Sequence, residues 1–250
     1  MNADTVSMGE CIAQGLFPGG SSVSKLGNVS GVADTEVDVW AVGGTYAFPA
    51  AAQQMEVVSD SAQDTAATGT GAWTVKIWYL DSAFKEKTET ITLNGLTPVP
   101  TVATDIYRIN NFWVITAGTG KKAAGNIDIR NLADTPIYSR ISTGLTRARN
   151  AMYTVPFGKK LYIWQITYAS STATSKDARF TLRSNYNSMD NVVSPLFYAY
   201  SEIGIQDATF TIEYAIPIKF PAGSDIKVSV ISASGAAGIC SVQYRGALLS

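Results

Sequence analysis

Residues 89–95 read ETITLNG, and this stretch decides the fold class. Ile91 and Leu93 alternate with Thr90 and Thr92, the period of two that puts one face of a strand inward. The run stops at Asn94-Gly95, a pair suited to the positive φ angles of a tight turn, so a hairpin is predicted here. The same rhythm recurs in both directions. Residues 36–40 (EVDVW) and 75–79 (VKIWY) precede it, and 106–115, 125–130 (GNIDIR) and 136–141 follow. Beyond residue 150 come 151–155, 160–168 (KLYIWQITY), 178–183, 196–200, 208–218, 225–231 (DIKVSVI) and 239–244. That makes about thirteen strands at short spacing, broken by Gly, Pro and Asn. Only residues 47–56 (AFPAAAQQME) approach a helical pattern, with Pro49 suited to a first turn. At most one helical turn is expected there.

The expected fold is therefore all-β: two β-sandwich, jelly-roll-like modules with an extended N-terminal arm. The arm is placed at residues 1–34, the first sandwich at 35–148 and the second at 149–250. The junction falls in residues 142–150, STGLTRARN. The first 34 residues are rich in Gly and Ser, with scattered apolar residues at no steady period, as in a segment that orders only on a partner. Leu16, Phe17 and Leu26 are its candidate docking anchors.

Composition narrows the function classes. A chain of 250 residues can bury about 70–75% of its unfolded surface, so its core needs no staples. Charged residues make up 16%, well below the roughly 25% of an average soluble protein. With a formal net charge of −1 there is no basic surplus to hold a phosphate backbone, which argues against direct nucleic-acid binding. Arg140, Arg147 and Arg149, like Lys159 and Lys160, read as solvated turns or strand edges. Cys11 and Cys240 alone make neither a disulfide scaffold nor a metal site. The opening MNADTVSMGE lacks a basic segment followed by an apolar one, so no secretory leader is expected. The apolar runs fall far short of the ~20 residues that span a bilayer. A soluble protein made in a cytoplasm, with no membrane partner, is the expectation.

The chain contains no histidine. That removes the usual Ser-His-Asp and Cys-His hydrolases and every His-ligated metal site. Paired carboxylates remain the main route to catalysis, as in glycoside hydrolysis. Asp34, Glu36 and Asp38 are spaced by two and read as the solvated face of one strand. Asp60 and Asp64 lie in a polar loop that matches no EF-hand spacing. Gly69-Thr70-Gly71 precedes a strand rather than a helix, so it offers no helix N-terminus to a phosphate. Gly118-Thr119-Gly120-Lys121-Lys122 lacks the first glycine and the Ser/Thr of a P-loop. Both stretches read as hairpin loops. No catalytic residue, metal or cofactor is expected. Trp78 and Trp113 stand beside Ile77 and Phe112, so one of each pair faces away from the core. They are candidate surface aromatics, for subunit contact or for stacking on a sugar.

A series of motifs carries a resemblance. VDVWAVGGTYAFP at 37–49 is followed by SDSAQDT at 59–65 and TGTGA at 68–72. Then come YLD at 79–81, ETITLNG at 89–95, YRIN at 107–110 and AMYTVPFGKK at 151–160. Over about residues 36–165 the chain resembles virion structural proteins of tailed bacteriophages. The resemblance implies β-sandwich modules that decorate the capsid or form tail and fibre parts, with no catalytic residues carried over. It implies a capsid decoration or cement protein assembled in the host bacterial cytoplasm and located in the virion. Its partners would be the major capsid or tail proteins and further copies of itself, a trimer being the expected homo-oligomer. The alternative is a tail or fibre component with glycan-receptor binding, and a carboxylate glycosidase stands third.

Overall fold

The computed structural model describes residues 11, 12, 14–16, 18–171, 177–232 and 238–250. Among these the chain is all-β, with helical backbone only at Cys11 and Ile12. In chain order the strands are β1 (Ser21–Ser30), β2 (Val37–Asp38), β3 (Met55–Ser59), β4 (Ala72–Leu80), β5 (Glu86–Thr92) and β6 (Val99–Pro100). They continue with β7 (Arg108–Ala117), β8 (Ile127–Asn131), β9 (Ile137–Ile141), β10 (Tyr153–Thr154) and β11 (Lys160–Ser171). The last five are β12 (Ala178–Asn187), β13 (Val192–Ile205), β14 (Thr209–Phe220), β15 (Asp225–Ser232) and β16 (Ile239–Leu249). Pairings between these strands are antiparallel throughout. No helix among the described residues is long and apolar enough to cross a membrane.

Four sheets result. The first has the order β1-β16-β11-β14, and the second β10-β15-β12-β13 with β2 beside β15. The third is β6-β3-β8-β9 and the fourth β5-β4-β7. Four is also the number of sheets in a four-bladed propeller. Two large hydrophobic clusters tie the sheets together. One unites Val29, Ile163, Tyr168 and Tyr244 of the first sheet with Phe180, Leu182, Val228 and Val230 of the second. The other unites Met55, Val57, Ile127 and Ile129 of the third with Val75, Ile77, Ile91 and Phe112 of the fourth.

Alternation explains the regular strands. Val75, Ile77 and Tyr79 of β4 are buried while Lys76 and Trp78 stand on the other face. Elsewhere the chain departs from expectation. Residues 47–56 contain no helical turn; Met55 and Glu56 open β3 instead. Asn94-Gly95 does form a turn, with Gly95 at φ +57°, but not a hairpin. β5 pairs with β4, whereas β6, after the turn, pairs with β3 of another sheet. The turn is captured by loop contacts: Gly95 N–H donates to the Asp64 carbonyl, and Ser59 N–H to the Gly95 carbonyl.

Residues 21–30, read from composition as part of an extended arm, are a ten-residue strand paired along its length with β16. The inward positions of β1 are Val23, Lys25, Gly27 and Val29, so a lysine and a glycine interrupt the apolar rhythm. Gly27 is there because the backbone comes close. A Cβ on it would lie 2.4 Å from the Val39 carbonyl oxygen and 2.7 Å from the Ala151 side chain. Gly27→Ala is expected to cost about 1–3 kcal/mol through overpacking. A lowered urea midpoint with an unchanged slope would show it; an unchanged midpoint would mean that β1 is loosely held. β2 likewise pairs with β15, and Val39 packs in the cluster of the first two sheets.

The two pairs of sheets meet at a polar junction. Arg108 of β7 reaches Asp225 of β15 through two hydrogen bonds, Nε to Oδ1 and Nη2 to Oδ2, each 2.9 Å. Asn110 of β7 exchanges amide bonds with Thr154 of β10: Nδ2 donates to the Thr154 carbonyl, and the Thr154 N–H donates to Oδ1. A small apolar cluster of Trp40, Tyr46 and Met152 lies beside them. These contacts set the outer face of the fourth sheet against the free edge of β1.

Candidate functional site

That juxtaposition forms a cleft of about 310 Å³. Its floor on the fourth sheet comes from β4 and β7, whose antiparallel register places Trp78 opposite Asn111 and Lys76 opposite Trp113. Because Ile77 and Phe112 take the core positions, both tryptophans emerge on the outer face. Trp113 is 42% exposed, and the two indoles lie 5.6 Å apart at 59°. The opposite side is β1, with Ser21, Ser22, Ser24 and Lys25. Arg147 closes one flank, held where its backbone bridges to Trp113.

Two basic side chains, Lys25 and Arg147, line the cleft. Lys25 is buried, and its Nζ donates to the Asn110 carbonyl oxygen. Burial, with the nearby charge of Arg147 second, pushes its pKa down to about 7. These surroundings favour the neutral amine, and an anion brought close to it would favour its protonation. The Arg147 guanidinium carbon stands 5.9 Å from the Trp113 ring centre, and Lys76 Nζ 5.0 Å from that of Trp78. These distances allow the cations to be drawn to the indole faces. One carboxylate, Glu86, lines the cleft.

The structure thus brings Trp78 and Trp113 together, and Leu26 lines a small adjoining cavity with Trp113 and Arg147. Leu16 is 62% exposed near the start of the described chain. Leu26 is half-buried on β1, opposite Gln243 of β16. Phe17 lies outside the described residues. Lys25 and Arg147, which complete the cleft, were read as arm composition and as part of a solvated basic group. Nothing local marks them, because they meet only through the packing of β1 on the fourth sheet. Arg140 of the same basic group is engaged elsewhere, with both Asp128 oxygens at 2.6 Å.

The carboxylate candidates form no acid–base pair. Asp34, Glu36 and Asp38 do not share a solvated face. Asp38 is buried, accepting from Tyr46 N–H at 2.7 Å and from Lys227 Nζ at 3.0 Å, while Glu36 binds Arg183. Burial raises the pKa of Asp38, and Lys227 opposes the rise. The correction has a simple cause: β2 is two residues long, too short to keep the alternation. Asp60 accepts from the backbone and side-chain amides of Asn126. Asp64 is fully buried. Its Oδ1 accepts from Ala72 and Ala124 N–H, its Oδ2 from Gly125 N–H and Ser59 Oγ, all within 2.9 Å. The lone pairs that a metal would use are occupied by donors. The two glycine-rich stretches pack on each other, Gly118 N–H donating to the Gly71 carbonyl and Gly120 N–H to that of Thr70. Cys11 and Cys240 are free thiols.

No family model and no curated protein matches the chain. Among solved structures, a chain of infectious bursal disease virus, Gx strain, aligns at 8% identity and a TM-score of 0.25. The alignment covers 92% of this chain and 72% of that one. The VP2 subviral particle of the same virus gives 12% identity, a TM-score of 0.25 and the same coverage. Likeness at this level is too slight to assign either a fold or a role.

Proposed function

We propose that this chain is a structural, non-enzymatic subunit of a virus particle that self-assembles through β13 and β14. The observation that carries the reading is the exposure of these strands. Among the described residues β13 pairs only with β12, and β14 only with β11, so each is an edge strand of its sheet. Val192, Val193, Leu196, Phe210 and Ile216 are exposed, Leu196 at 65% and Ile216 at 86%. Val192 and Val193 are consecutive, so β13 shows apolar side chains on both faces. Long, bare, apolar edges invite pairing with another chain, and a protein that retains them uses them in assembly. The resemblance of residues 36–165 to tailed-phage virion proteins supports reading that assembly as a particle. Capsid decoration is the placement we favour, with tail or fibre as the alternative; hundreds of copies per purified virion would indicate the first, about a dozen the second.

The same reading takes each pair of sheets as a β-sandwich. Propeller blades each pack on two neighbours around a channel, whereas here each large cluster joins two sheets. The modules are then β3 to β9, and β10 to β16 completed by β1 and β2. Mass photometry is expected to show the purified protein as a closed oligomer, a trimer first. The variant Leu196→Asp/Ile216→Asp is expected to run as a folded monomer. A wild-type chain that stays monomeric at tens of micromolar, at the concentration scale of specific assembly, would refute self-assembly through these strands.

A further inference from the structure

We propose that the cleft between the outer face of the fourth sheet and β1 binds a saccharide carrying an anionic substituent. Trp78 and Trp113 would lie against the sugar ring, and Arg147 and Lys25 against the anion. This stands apart from the assembly reading, because β13 and β14 contribute nothing to the cleft. It gives a definite ligand class to the sugar-stacking role that the outward tryptophans suggest.

Four features point to this ligand together. The two indoles present broad apolar surface with a polar N–H tip, matching a pyranose that has an apolar C–H face and hydroxyl edges. Asn111 and Ser22 line the same cleft with neutral donors and acceptors. The volume of about 310 Å³ sits at the small end of ligand sites, the size of one or two sugar rings. The charge is the specific part. Arg108, Arg130, Arg140 and Arg183 each engage a carboxylate. Among the described residues neither Arg147 nor Lys25 has an ion-pair partner, although Lys25 is buried. The Arg147 guanidinium, with a Lys25 amine that an arriving anion would protonate, suits a single carboxylate or sulfate at one end of an aromatic cleft. A run of phosphates would also meet Glu86, so a nucleic acid fits less well.

The test uses the full-length protein on a glycan array of uronate, sialylated, sulfated and neutral oligosaccharides. Hits are then titrated by tryptophan fluorescence. Binding is expected on acidic glycans, at least tenfold tighter for an oligogalacturonate-type acid than for its methyl ester, which keeps the ring and removes the charge. Preference for sulfated over carboxylated glycans would equally support the anion site and identify its group. Trp113→Ala is expected to abolish binding, and Arg147→Gln to remove the preference for acid over ester. Both side chains are partly exposed, and circular dichroism of the variants is the check that they fold. A blank array across the acidic glycans would overturn the proposal. So would equal affinity for acid and ester, binding unchanged in Trp113→Ala, or tighter binding of a single-stranded oligonucleotide. Leu196→Asp/Ile216→Asp should keep the binding while losing assembly, so the two proposals fail separately.

Discussion

Arg108→Ala is expected to lower the unfolding free energy by about 3–5 kcal/mol, the range for breaking a buried ion pair from one side. Arg108 and Asp225 are almost fully enclosed, with side-chain exposures of 8% and 5%. The guanidinium also donates to the Pro49 and Tyr107 carbonyls and lies 3.9 Å from the Tyr107 ring centre. Burial by itself would lower the arginine pKa, but the hydrogen bonds and charge of Asp225 more than compensate and raise it. Removing the arginine leaves Asp225 with Thr154 Oγ1 at 2.5 Å, Asn185 and no cation. The pair spans the junction of the two sheet pairs, so urea unfolding of the variant should also separate into two transitions. The double variant Arg108→Met/Asp225→Leu is expected to recover much of the loss, since it removes the orphaned charge together with its partner. A loss under about 1 kcal/mol, the level of a solvent-screened pair, would show that the junction is not held by these groups.

Asp64→Ala is the second large effect, expected at roughly 3–5 kcal/mol because several buried donors lose their acceptor at once. The carboxylate gathers the start of β4, the turn at Ala124 and Gly125, and Ser59 at the end of β3. Gly71 makes room for it: a Cβ there would lie 2.2 Å from Asp64 Oδ1. Asp64→Asn should be nearly as damaging, since one face of the amide would turn an N–H₂ group toward backbone N–H donors. Chemical denaturation of the two variants checks this. Near-native stability of Asp64→Asn would mean that acceptor geometry, rather than the full carboxylate, is what the loop requires.

The strands legible in the residues were those whose apolar residues alternate cleanly, such as β4 and β8, with Val75, Ile77 and Tyr79 in one and Ile127 and Ile129 in the other. β3 was missed because Glu56 is buried beside Val57, held by Arg130 at 2.8 Å, which breaks the alternation. β1 was missed because Lys25 and Gly27 occupy inward slots. Asn94-Gly95 was rightly read as a turn and wrongly as a hairpin, because a turn dictates a reversal but not the strand that receives the chain. Half of the cleft was legible. The pairs Ile77–Trp78 and Phe112–Trp113 each had to send one side chain outward, and the structure shows that it is the tryptophan in both.

Alternation is a property of chain neighbours, so the residues by themselves determine a strand-built protein and that one member of each pair, Ile77–Trp78 and Phe112–Trp113, faces outward. Sheet membership depends on partners far along the chain. Only the tertiary structure decided that residues 21–30 close the first sheet beside β16, and that the edge they leave free faces the fourth sheet. The same packing buries Lys25 near Arg147 and two indoles. No local pattern encodes that meeting, because it is fixed by the Arg108–Asp225 and Asn110–Thr154 contacts that dock one pair of sheets on the other.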